Sequence, residues 1–371
     1  MAGTWAIVAG GGTAGHVLPG LAIARALVDA GHDPSAIHFV GSERGIDATL
    51  VPRAGFGLTV LPGRGIQRRL TPANLGAAWG LARAFATAIR LVRRHRPAVV
   101  VALGGYASLP CGLAAVLWRV PIVVAEANAL PGAANRVLGR FARASAVAFP
   151  GTALPRAVVT GNPVRPEMAA VDRSPAGRAA ARAALGLPDG RRVLAVFGGS
   201  LGARRINEAA LALGEAWRDR GDVAIRHAVG SRDWPDVEGR LPDPPPGGLV
   251  YQAVEYEERM PDVFAAADLV VCRAGASTLA ELTVVGVPSV LVPLPIASED
   301  HQTVGARVLA DAGAAVWVPD ADLGAERLAA EAGALLADDA RLAAMAEAAR
   351  RLGRPDAAAR VAALVEEHAR A

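Results

Sequence analysis

An apolar run from Trp5 to Ala9, a glycine turn Gly10-Gly11-Gly12-Thr13-Ala14-Gly15-His16 and a helical pattern from Val17 to Leu27 open the chain and narrow the folds open to it. A strand that passes through side-chain-free backbone into a helix start brings unpaired helix N–H groups near the strand's end, which makes an anion site. Gly10, Gly12 and Gly15 also satisfy G-x-G-x-x-G, the spacing of a dinucleotide loop. The same glycines would serve a turn that only packs a helix tightly on a strand, so the rest of the chain decides between the two roles.

The strand-then-helix unit repeats. Strand patterns at Ile37 to Val40, Leu58 to Leu61, Val99 to Ala102 and Ile122 to Ala125, and near Ala146 and Val158, alternate with helical stretches, the longest running from Pro72 to His95. Such alternation predicts a parallel sheet covered by helices on both faces. Gly161-Asn162-Pro163-Val164-Arg165-Pro166 breaks the pattern with two prolines, and the alternation then starts afresh with Val193 to Phe197. A second glycine loop, Gly198 to Arg204, and a third, Ala274 to Thr278, each lead into a helix, and Pro355-Asp356 restarts a last one. We therefore expect two domains, residues 1–163 and 164–355, with the final helix, 356–371, packing back on the first. A length of 371 residues, 52% of them hydrophobic, suits two cores.

Composition narrows the class. The net charge is +4 and every basic residue is arginine, which reads as codon bias rather than a site; no nucleic-acid partner is expected. Cys111 and Cys272 lie far apart in apolar surroundings and read as buried free thiols of a reducing compartment. The start carries no basic segment typical of a secretory leader. Ala98 to Trp118 has no charged residue and is long enough for a membrane span, but Gly104-Gly105 and Pro110 divide it into a strand, a loop and a short helix.

Three constellations each carry two readings. Helix Pro72 to His95 has an apolar stripe, Leu75, Trp79, Ala82, Ala86 and Ile89, beside Arg83, Arg90 and Arg94. It fits either core packing or, with Arg68, Arg69 and Leu70 at its start, an anionic bilayer surface. Thr278 and Glu281 stand in capping-box spacing, and Glu281 is alternatively an acceptor for ribose hydroxyls. His16 is either a solvated first-turn side chain or a general base, since imidazole titrates near neutrality.

In order along the chain, GGGTAGH with Pro19, SERGIDA (42–48), GGYASLP (104–110), TGNPVR (160–165), FGGSLGARRIN (197–207), CRAGASTLAE (272–281), HQT (301–303) and AGAA before Val316 resemble the MurG family of bacterial peptidoglycan N-acetylglucosaminyltransferases. The resemblance covers nearly the whole chain. It implies an α/β protein of GT-B fold, two doubly wound, Rossmann-like parallel-sheet domains facing each other across a cleft. It also implies transfer of N-acetylglucosamine from UDP-GlcNAc to the C4 hydroxyl of the muramyl sugar of lipid I, with inversion, at the cytoplasmic face of the plasma membrane. No metal or cofactor is implied. Residue by residue, it assigns catalysis to His16. It assigns sugar-donor contacts to Thr13, Ala14, Gly15 and Asn128 in the first domain, and to Arg165, Ser200, Glu257 through its backbone, Ala276, Ser277, Thr278, Leu279, Glu281 and Gln302 in the second. Gly12, Gly104, Gly105 and Tyr106 are assigned to the acceptor diphosphate.

The chain departs from the family at Ala125 and Ala127, which replace His and Gln of a His-Glu-Gln-Asn run, at Gly305, where Asn is usual, and at Glu257, where an apolar residue is usual. The residues also support two rival functions. The opening fingerprint suggests an NAD-dependent oxidoreductase, with Glu43 the nearest, though late, acid for a ribose. The altered surroundings of Glu126 suggest a non-catalytic UDP-sugar sensor at the membrane.

Overall fold

The computed structural model describes residues 3–43, 46–62, 73–295 and 300–370. They divide into two compact units, one of residues 1–165 with 354–371 and one of residues 166–353.

Among the described residues the first unit holds seven parallel strands: β1 (Ala6–Ala9), β2 (Ile37–Ser42), β3 (Gly57–Leu61), β4 (Val99–Ala102), β5 (Ile122–Glu126), β6 (Ala144–Val147) and β7 (Ala157–Val159). Their order is β3-β2-β1-β4-β5-β6-β7. The inner strands are apolar at nearly every position because both faces are covered, and all four residues of β1 and of β4 are buried. One face packs Val17, Ile23, Leu27 and Val51, the other Ala88, Val92, Cys111 and Leu138. The last helix, Ala357–His368, sends Val361, Ala362, Leu364 and Val365 into the first of these faces, against the helix Ala14–Asp29.

The second unit repeats the plan with β8 (Arg192–Phe197), β9 (Val223–Ala228), β10 (Val250–Val254), β11 (Leu269–Cys272), β12 (Ser289–Leu291) and β13 (Ala315–Trp317), in the order β10-β9-β8-β11-β12-β13. Both sheets reverse direction of growth once, between β1 and β4 and between β8 and β11. The connections on either side of such a point leave in opposite directions and open a crevice beyond the strands' carboxyl ends. The glycine loops Gly10–His16 and Gly104–Tyr106 flank the first reversal, and the loops at 198–203 and 273–276 flank the second.

Two local expectations change. The opening helix begins at Ala14 rather than Val17, so Gly15 and His16 lie in its first turn. The helix carrying Glu281 begins at Ala276, with Gly275 as N-cap and no side-chain cap bond. Thr278 is thus its third residue and Glu281 its sixth, and the capping-box reading is withdrawn. The stretch 98–118 forms β4, a turn and the helix Ser108–Leu117, and no described helix is long and apolar enough to cross a membrane. Cys111 and Cys272 are buried and unpaired; burial pushes the Cys111 thiol up to about 12 and raises that of Cys272.

Candidate functional site

The first glycine loop is held from beneath by a carboxylate that motif reading does not single out. Asp47, 2% exposed at the start of the helix Asp47–Arg53, accepts a hydrogen bond of 2.9 Å from the Gly12 N–H. Gly11 lies so close that a Cβ there would fall 2.2 Å from Asp47 Oδ1. A dinucleotide's pyrophosphate would need this same backbone, and Asp47 already puts a negative charge against it. That argues physically against the oxidoreductase reading and removes the Gly12 N–H from the donors available to an acceptor diphosphate.

The second loop of this unit packs on the first. Ser108, fully buried, accepts from the Gly104 N–H at 2.9 Å, and its hydroxyl lies 2.6 Å from the Ala9 carbonyl, tying the loop to the end of β1. Gly105 has φ +77°, and a Cβ on it would meet the Gly11 carbonyl at 2.8 Å. The Tyr106 hydroxyl donates to the Pro62 carbonyl at 2.8 Å, and burial raises its pKa. His16 stands where these loops meet. Its Nδ1 is 3.1 Å from Thr13 Oγ1, and its ring edge lies 3.2 to 3.3 Å from where side chains on Gly104 and Gly105 would begin. Side chains at these two positions would crowd the ring, and both glycines have positive φ, +92° and +77°.

His16 lines a cavity shared with Glu126, Thr160, Asn162, Pro163 and Val361. Glu126, 5% exposed, accepts four hydrogen bonds of 2.9 Å: from the Asn128 N–H and Nδ2, the Gly132 N–H and Asn135 Nδ2. It therefore shapes the loop that presents Asn128, and neither Ala125 nor Ala127 has to contribute a side chain for that loop to form. Asn135, 1% exposed, also donates to the Ala125 carbonyl at 3.2 Å, while its own side-chain oxygen lacks a hydrogen-bond partner.

In the second unit the loop after β8 runs through Gly199 and Gly202, with φ +103° and +91°, and the Ser200 carbonyl accepts from the Ser231 N–H at 3.1 Å. Beyond β11, Ala276, Ser277 and Thr278 form the first turn of the helix Ala276–Val285, whose amides face the strand ends with partial positive charge. Ser277 Oγ is a buried hydroxyl without a hydrogen-bond partner. Leu279 differs from expectation. Its side chain is 2% exposed, its N–H donates to the Gly275 carbonyl at 2.9 Å, and it packs where a Cβ on Gly305 would come within 2.7 Å. It is a core residue, and Gly305 makes room for it.

Glu257 is buried and ion-paired with Arg226 at 2.8 Å, and it accepts from the Arg259 N–H at 2.9 Å. Its side chain is fully engaged, so any ligand contact there falls to the backbone. Gln302 Oε1 accepts from the Leu294 N–H at 2.9 Å, and Arg165 is half-buried at the end of the connecting segment. Among the described residues no group of three or more His, Cys, Asp or Glu is placed to hold a metal. Asp47 and Asn135 are the residues sequence reading missed. An acid at a helix start inside the SERGIDA stretch was a signal for the first; nothing marked the second.

Two doubly wound sheets with glycine loops at both reversal points make two crevices of the kind that hold nucleotides and phosphates, and comparison with known proteins supplies the class. The glycosyltransferase family 28 N-terminal domain matches residues 6–147, and the C-terminal domain of the same family matches residues 193–361. The chain is 40% identical over 371 residues to the UDP-N-acetylglucosamine--N-acetylmuramyl-(pentapeptide) pyrophosphoryl-undecaprenol N-acetylglucosamine transferase of Desulforudis audaxviator, covering 97% of each. It is 44% identical to that of Acidothermus cellulolyticus, covering 98% of each. Among solved structures, Acinetobacter baumannii MurG superposes with a TM-score of 0.76 at 29% identity, covering 98% of this chain and 99% of that one. The chain belongs to the MurG family.

Proposed function

We propose that this chain transfers N-acetylglucosamine from UDP-GlcNAc to the C4 hydroxyl of the muramyl sugar in lipid I, giving lipid II. The observation that carries the reading is identity of 40% or more, over nearly full length, to transferases named for that reaction. The second unit is the sugar-donor domain. Amides of the first turn at Ala276, Ser277 and Thr278, with Ser200 and Arg165, neutralise the diphosphate; Glu281 accepts from the ribose hydroxyls; Gln302 and the backbone at Glu257 complete the nucleotide contacts. Thr13, Ala14, Gly15 and Asn128 reach the sugar, and the backbone at Gly105 and Tyr106 takes the acceptor diphosphate; the Gly104 N–H, like that of Gly12, is already committed, here to Ser108 Oγ.

In the reaction His16 removes the proton of the C4 hydroxyl as its oxygen attacks the anomeric carbon. The carbon–oxygen bond to UDP breaks with its electron pair, the configuration inverts, and the charge arriving on UDP is met by donors already aimed at it. Incubation with UDP-GlcNAc and a short-chain lipid I analogue tests this directly. Disaccharide is expected, and Glu281→Ala should weaken UDP-GlcNAc binding about tenfold, the loss of a charge-assisted hydrogen bond. UDP binding without product would favour the sensor reading.

Lipid I carries its diphosphate directly on its lipid, so the membrane has to meet the first unit on the side of the acceptor loops, at the strands' carboxyl ends. The helices Ala73–His95, Ser108–Leu117 and Ala133–Gly139 each run back from the strands' carboxyl ends, so their last turns gather at the other edge. There Leu117, Trp118 and Phe141 are 60%, 38% and 52% exposed among Arg93, Arg94, Arg119, Arg140 and Arg143, with the Arg93 guanidinium 5.6 Å from the Trp118 ring. Apolar groups ringed by cations would suit an anionic leaflet, but this edge lies at the far end of the strands from the acceptor loops and does not present lipid I to them. The sequence-based candidates Arg68, Arg69 and Leu70 lie outside the described residues, as do the side chains of Leu75 and Trp79. Flotation should show binding to phosphatidylglycerol vesicles that is weakened by salt and left unchanged by Trp118→Ser with Phe141→Ser. Equal binding to neutral vesicles would reject an anionic leaflet as the partner.

A further inference from the structure

The second unit contains a buried polar chain that the reaction scheme leaves unused. His227, fully buried in β9, has Nδ1 2.8 Å from the Tyr251 hydroxyl and Nε2 3.1 Å from Asn207 Oδ1. Asn207, 1% exposed, donates from Nδ2 to the Val229 carbonyl at 3.1 Å and to Asp233 Oδ2 at 3.0 Å. Only one assignment of protons satisfies all four groups. The amide nitrogen of Asn207 serves two oxygens, so its own oxygen faces the imidazole and accepts; Nε2 therefore carries the ring proton. Nδ1 is left with a lone pair, and the Tyr251 hydroxyl donates to it.

The far end of this chain is the loop assigned to the sugar donor. A Cβ on Gly202 would lie 2.4 Å from the Val229 carbonyl and 2.7 Å from Asp233 Oδ2, the two atoms that Asn207 holds. The next turn touches the loop as well. A Cβ on Gly230 would come 2.1 Å from the Gly202 nitrogen, and the Ser231 N–H donates to the Ser200 carbonyl. Asp233 is itself 4% exposed and paired with Arg232 at 2.8 Å. Burying three polar side chains, with Tyr251 half-buried beside them, where aliphatic ones would fill the same space costs desolvation, and a fully satisfied network gives a single fixed geometry in exchange.

We propose that His227 is a positioning residue for the sugar donor's diphosphate, acting through Asn207 and the 229–233 turn on the loop Gly199–Gly202. This rests on the assignment of that loop to UDP-GlcNAc. The test compares calorimetric binding of UDP and of uridine, which lacks the phosphates, by the full chain and its variants, with melting temperatures recorded alongside. His227→Phe removes both ring hydrogen bonds and should weaken UDP about tenfold while leaving uridine unchanged. Asn207→Ala breaks the chain one link nearer the loop without overfilling the core, and should give the same selective loss. His227→Gln, which still offers an N–H to Asn207 Oδ1, should recover most of the affinity. Unchanged UDP binding in a folded His227→Phe or Asn207→Ala protein would overturn the proposal, as would equal weakening of uridine and UDP. Wild-type protein that binds no UDP would instead overturn the loop assignment beneath it.

Discussion

Replacing His16 with alanine is expected to lower kcat by about 100- to 10,000-fold, the usual contribution of a general base, with UDP-GlcNAc affinity changed less than roughly twofold. The asymmetry comes from where the residue sits. His16 belongs to the first unit, in the opening turn of the helix Ala14–Asp29, whereas most of the proposed nucleotide contacts belong to the second. Its ring is oriented rather than loose: Thr13 Oγ1 lies 3.1 Å from Nδ1, and the Gly104–Gly105 turn packs against the ring along Nε2 and Nδ1. The residue lines the cavity that Glu126 also lines, and in the proposed reaction the attacking hydroxyl meets its ring there. Initial rates across both substrates, with UDP-GlcNAc binding measured separately, separate the roles. Equal losses in turnover and donor affinity would make His16 a binding or structural residue.

Much of this architecture is legible in the sequence because parallel strands buried on both faces read as unbroken apolar runs. Val99–Ala102 and Leu269–Cys272 show it most plainly. The glycine loops are legible for the same local reason: they stand at strand ends and open helices. Sequence reading falters where the cause is tertiary. The helix at Ala14 starts three residues early because loop packing, not propensity, sets its first turn. Thr278 and Glu281 match a cap in spacing, yet Gly275 begins the helix, and Leu279 turns inward because Gly305 leaves it space. The supports of the site are hidden for a different reason. Asp47 reaches a backbone 35 residues away, and His227, Asn207 and Asp233 meet across separations of 20 and 26 residues, distances at which no periodicity connects them.

A second large effect is expected from Asp268→Ala, a loss of about 3 to 5 kcal/mol in the stability of the second unit, the range for removing one partner of a buried ion cluster. Asp268 is 7% exposed and immediately precedes β11. Its Oδ2 accepts from the Val193 N–H at 2.7 Å and from Arg182 at 2.9 Å, and its Oδ1 from Arg178 at 2.6 Å, with Arg192 at 3.5 Å. Arg173, Arg178 and Arg182 also donate to the carbonyls of Phe264, Ala265, Ala266 and Ala267, the end of the helix Met260–Ala266. Burial and then the neighbouring Arg178 push the Arg173 guanidinium down to about 9, and Asp268 opposes that shift. Without the carboxylate, the arginines would repel one another in a partly dry site and Val193 would lose its hydrogen-bond acceptor. The damage falls where β8 and β11 begin, and these two strands carry at their other ends the glycine loops assigned to the sugar donor. Asp268→Asn should recover only part of the loss, because it restores an acceptor for Val193 without the charge. Urea unfolding of the three proteins, with and without UDP, reads both consequences. The unliganded transition should move to lower urea in the order wild type, Asn, Ala, while saturating UDP raises every midpoint that still reports a folded donor site. A loss under about 1 kcal/mol for Asp268→Ala would mean that the arginines hold the helix end without it, and that the two central strands need no clamp where they start.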